Sequence, residues 1–94
     1  MTISLENAKR LPSFNGIKMN LDEAVELEKA IHILDKIPQF YEGEELEIGK
    51  NDPKNGKPDY WWLTYGSIEL SRYYSLTKLL VDFAHTLIEE GVIK

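Results

Sequence analysis

The 94-residue chain has no cysteine, which excludes a disulfide framework and a thiolate nucleophile. It also lacks any apolar run near the ~20 residues that cross a bilayer, and its opening stretch MTISLENAKRL has no apolar segment of signal-peptide length. A cytosolic protein without a membrane partner is therefore expected. Cationic excess is missing too: 16 acidic against 11 basic side chains leave a net charge of −5. That balance repels phosphate backbones and disfavours general nucleic-acid binding. A Gly-rich phosphate loop, a nucleophile elbow and an assembled Ser–His–Asp set are all absent. The expectation is a protein with no catalytic activity and no cofactor. Internal repeats and low-complexity segments are also lacking, and the length suits one domain with one core.

What remains is an ordinary folding composition, 43% hydrophobic and 29% charged, which argues against disorder. The small acidic chain, leaning on Lys, Ile, Asn and Glu, has the look of a phage or mobile-element accessory factor.

The aromatic residues are concentrated. Six of the ten fall between Tyr60 and Tyr74, with Gly66-Ser67 among them. Gly at the first central position suits a type II′ hairpin turn. The flanking segments, DYWWLTY and IELSRYY, are rich in residues that favour a pleated surface. A two-residue loop pairs Tyr65 with Ile68, Leu63 with Leu70, Trp61 with Arg72 and Tyr60 with Tyr73. Upstream, EGEELEIGK reads as a strand from about Glu44, with Leu46 and Ile48 on one face and Glu45 and Glu47 on the other.

Two helices bracket these strands. Asn20 is a good N-cap with Glu23 completing a capping box. Ala24, Leu27, Ile31 and Leu34 then recur at helical spacing until Pro38 intervenes. From Ser75, Leu76, Leu79, Leu80, Phe83 and Leu87 form a second apolar stripe that Gly91 stops. Ahead of both, Ser4 caps a short helix that Pro12 is expected to end. The expected fold is α+β: an irregular arm over 1–19, a helix over 20–37, a three-stranded antiparallel meander over 44–73 and a helix over 75–90. The helices pack on one face of the sheet.

The hairpin then has a core face of Trp61, Leu63, Tyr65, Ile68 and Leu70, with Arg72 stacked on Trp61 at its margin. The other face presents Tyr60, Trp62, Thr64, Ser71 and Tyr73 with Glu45, Glu47 and Glu69. Large rigid rings beside carboxylates suit a protein–protein contact. Tyr60, Trp62 and Tyr73 would anchor a partner, and Glu45, Glu47 and Glu69 would select its basic groups. A second copy of the chain would make a homodimer through the same face. The plainer alternative is that the arm or a helix covers this face and all six rings are core; a one-residue slip would also swap the faces.

A different reading stacks the rings on a nucleotide-like ligand at a dimer interface, with Arg72, Lys54 or Lys57 meeting its phosphate. His32 lies near Glu28 and Asp35, and His85 near Asp82 and Glu89, at helical spacing. These sets sit on polar helix sides and are read as solvated charges, not metal ligands.

Overall fold

A computed structural model describes residues 2–14, 21–51 and 60–93. In chain order the elements are β1 (Thr2–Ile3), α1 (Leu5–Phe14), α2 (Leu21–Leu34), β2 (Phe40–Tyr41), β3 (Glu44–Glu45), β4 (Glu47–Asn51), β5 (Tyr60–Tyr65), β6 (Ile68–Tyr73) and α3 (Leu76–Glu89). Among the described residues, β1-β4-β5-β6 form a four-stranded antiparallel sheet and β2-β3 a separate two-stranded one.

The meander β4-β5-β6 is the expected one, and two additions correct the rest. The start of the chain is not an irregular arm: β1 lies along β4, with Thr2 opposite Gly49 and Ile3 opposite Ile48. The strand expected from Glu44 is broken at Leu46. Glu44 and Glu45 fold back on Tyr41 and Phe40 through Glu42 and Gly43, whose φ values are +53° and +81°. Two successive positive φ angles mark a type I′ turn, whose twist matches that of the strands it joins.

Between β5 and β6, Gly66 takes φ +60° and Ser67 does not take a positive φ, as a type II′ turn requires. Tyr65, Thr64 and Leu63 face Ile68, Glu69 and Leu70 in the anticipated register. Beyond Leu63 the register shifts, and Trp61 pairs with Tyr73. Ser71 and Arg72 therefore share the stretch opposite Trp62, and Arg72 sits at φ +62°. This is a β-bulge, in which one extra residue re-aims every side chain beyond it.

Three helices lie on one side of the sheet. Ser4 caps α1, its Oγ accepting from the Asn7 N–H at 3.2 Å. The helix runs past Pro12 to Phe14, because an internal proline forfeits one backbone bond without necessarily ending a helix. Asn20 lies outside the described residues. The second helix ends at Leu34, three residues short of Ile37. The Lys36 N–H bonds to Ile33 O at 3.1 Å, so the last turn tightens before the chain must leave the α region at Pro38.

The third helix matches its sequence pattern closely. Ser75 Oγ accepts from the Lys78 N–H at 3.3 Å. At the other end the N–H groups of Gly91 and Val92 bond to Ile88 O and Leu87 O at 3.1 and 3.0 Å. With Gly91 at φ +73°, this is a Schellman stop.

Packing explains the layering. Ile48, Leu63, Tyr65 and Ile68 on the inner sheet face join Leu27 and Leu34 of α2 and the buried stripe of α3 in one core, and Ala8 brings α1 into it. Tyr65 links the layers. Its ring stacks on Tyr41 at 5.4 Å and meets Phe83 edge-on at 5.8 Å, and its hydroxyl donates to Pro38 O. Tyr41 in turn lies so close to the main hairpin that a Cβ on Gly66 would fall 2.6 Å from Tyr41 O. The small hairpin is thus clasped to the tip of the large one, with Ser67 Oγ donating to Glu42 Oε1 at 3.0 Å.

Candidate interaction face

With the described helices on the inner side, the outer sheet face is defined by strand alternation. Its cross-strand rows follow from the register. One row runs Glu47, Thr64, Glu69; the next runs Thr2, Gly49, Trp62 and then the bulge of Ser71 and Arg72; the third pairs Asn51 with Tyr60. Glu47, Glu69, Ser71 and Arg72 are exposed, and Tyr60, Trp62 and Thr64 are half-buried. Leu70 and Tyr73 both pack toward the core, which leaves Ser71 and Arg72 for the solvent side.

Two side chains expected on this face lie elsewhere. Tyr73 is carried to the helix side by the bulge, where its hydroxyl donates to Asp82 Oδ2 of α3 at 2.8 Å. Burial first, and then this bond to a carboxylate, push its phenol up to about 12. Glu45 belongs to β3, off the main sheet, and accepts from Gln39 Nε2 at 3.1 Å. Arg72 does not stack on Trp61 as expected, since the bulge takes it outward. Lys50 occupies that role, its Nζ 5.3 Å from the Trp61 ring centre.

Tyr60, Trp62, Glu47 and Glu69 remain together. The described part of the first 19 residues does not cover them, since β1 extends the sheet sideways and α1 joins the core. The turn end of the face is acidic, the middle is aromatic, and Arg72 adds a cation beside Trp62. Gly49, directly across from Trp62, gives that row one position with no side chain.

Lys54 and Lys57, offered for a phosphate, lie outside the described residues. Three cavities lined by described residues lie off the outer face. One, of about 320 Å³, lies where α1 meets the end of α2 and is lined by Lys9, Asp35 and Glu45 among others. Lys9 Nζ bridges Glu6 at 2.8 Å and Asp35, and hydrogen bonds to those two carboxylates, Asp35 first, raise its pKa. His32 and His85 are both exposed. His85 approaches Glu26 at 3.9 Å, and no group of three metal-ligating side chains occurs among the described residues. No described helix is long and apolar enough to cross a membrane.

Sequence reasoning missed some exposed apolar side chains on the helical side, including Leu21 at 78% and Ile88 at 50%. Their signal is that they fall off the stripes facing the core. Comparison with protein-family models, curated proteins and solved structures finds no match.

Proposed function

We propose that this chain is a binding protein without catalytic activity, whose outer sheet face takes the surface of another protein. The observation that carries the reading is the position of Trp62. It stands mid-face, on the side of the sheet away from the described helices, beside Tyr60 and one row from two exposed carboxylates. Rings held on a rigid sheet lose little entropy on binding, and such residues dominate interface energetics. Glu47 and Glu69 flank Thr64, roughly 10 Å apart by the usual strand spacing, and would draw basic groups of the partner to the rim of the contact.

Capture on immobilised protein tests the reading. Retention of a partner by the wild type should fall about thirtyfold or more with Trp62→Ala, the loss expected of a hot-spot ring, while the unfolding midpoint holds. Glu47→Gln with Glu69→Gln should weaken capture less and flatten its salt dependence. Undiminished capture by folded Trp62→Ala would move the working surface elsewhere.

A further inference from the structure

We infer that the partner this face is built for is a second copy of the same chain, packed face to face about a two-fold axis. This rests on the binding role of the outer face and names its occupant. The order of charges along β6 points to it. Glu69 lies in one cross-strand row and Arg72 in the next, opposite Trp62. Both are exposed, and neither has an ion-pair partner among the described residues.

Consider an axis lying in the contact plane, across the strands and between these two rows. It reverses strand direction and keeps lateral position, so each row of one copy lies over the other row of its mate. Glu69 then meets Arg72 of the second copy, and by symmetry Arg72 meets Glu69 of that copy. Trp62 settles over Thr64 of the second copy. Glu47 falls over the buried Gly49 of the second copy. Two sheets packed in this way stand about 10 Å apart. Of the acidic row that would repel a copy placed in parallel, Glu69 is matched in this arrangement by the bulge arginine. The bulge thus supplies a cation to the face and sets its spacing from Glu69.

Sedimentation equilibrium from micromolar to millimolar protein tests this, with folding followed by circular dichroism. The wild type should dimerise reversibly. Glu69→Arg alone and Arg72→Glu alone each oppose like charges twice and should weaken the dimer at least tenfold. An equimolar mixture of the two should restore it as a heterodimer, because both contacts again join opposite charges. Arg72→Asn, which suits the left-handed backbone at this position, should also weaken the dimer and guards against misfolding of the glutamate variant. A wild type that stays monomeric would overturn the second copy as occupant, while Trp62-dependent capture of a different protein would leave the binding face standing. Dimerisation unaffected by the charge reversals, or a mixture that fails to re-associate, would overturn the two-fold. Dimerisation unaffected by Trp62→Ala as well would place the contact off this face.

Discussion

Gly66 meets two demands at once, and the pair Gly66 and Gly43 separates them. Both adopt positive φ, but a Cβ at Gly43 would meet nothing within 4 Å, whereas at Gly66 it would strike Tyr41 O and Cδ2 at 2.6 and 2.7 Å. Gly43→Ala should therefore cost only the left-handed backbone term, about 1–2 kcal/mol. Gly66→Ala adds displacement of the Tyr41 backbone, and with it the stacking on Tyr65 and the hold of the small hairpin. Its unfolding midpoint should fall clearly below that of Gly43→Ala, in a domain of this size where ~1 kcal/mol corresponds to roughly 4–8 °C. Equal midpoints for the two variants would mean that Tyr41 yields without cost.

The bulge in β6 is held by a residue with no intrinsic taste for it. A non-glycine side chain at φ +62° is uncommon, and a β-branched one is a true outlier there. Arg72→Val should lower stability, because a β-branched side chain adds crowding to a left-handed cost that arginine already bears, while Arg72→Asn should be neutral or slightly stabilising in chemical denaturation. If Val were tolerated, the bulge would have slid or closed, and Tyr73 would have left Asp82. This element also marks where the sequence stops being informative. The Gly66-Ser67 turn, the stripe of α3 beginning near Ser75 and the Gly91 stop are written in local chemistry, and all three stand as expected. The bulge is not, because nothing in SRYY announces that Arg72 will turn left-handed, and that single step moved Tyr73 off the face assigned to it. The turn at Glu42-Gly43 was not read from sequence, because the short strands on either side offer too few residues for alternation to show. Strand β1, two residues long, carries no pattern at all; only its pairing with Ile48 and Gly49 reveals it. Tyr60, Trp62, Glu47 and Glu69 could be placed from sequence because they lie before the bulge along β5 or on the unshifted rows.

Taken together, the titrating groups give the protein an alkaline limit. The Tyr73 phenol is raised to about 12, and Tyr41 and Tyr65 are raised as well, chiefly by burial. Unfolded tyrosines release their protons near pH 10, so above that pH the native state holds more protons than the unfolded chain. Stability is then lost as pH rises from about 10 to about 12. Lys9 acts with the same sign: its raised pKa adds stability that is complete below the unfolded value and disappears as pH climbs through the folded one. Tyr73→Phe should cost about 0.5–1.5 kcal/mol at neutral pH for the lost hydrogen bond and should make the fall above pH 10 shallower. An unchanged alkaline slope in denaturant titrations would show that Tyr73 does not carry it. The topology has a further consequence in the order of assembly. Strands β4 to β6 and helix α3 are neighbours in sequence and can meet by closing short loops. Thr2 must reach Gly49 across about half the chain, a closure whose entropy no local contact offsets in advance. The three-stranded meander with α3 should therefore form first, with the fourth strand completing the sheet afterwards, an order that slower protection of the Thr2 and Ile3 amides in pulsed hydrogen exchange would reveal.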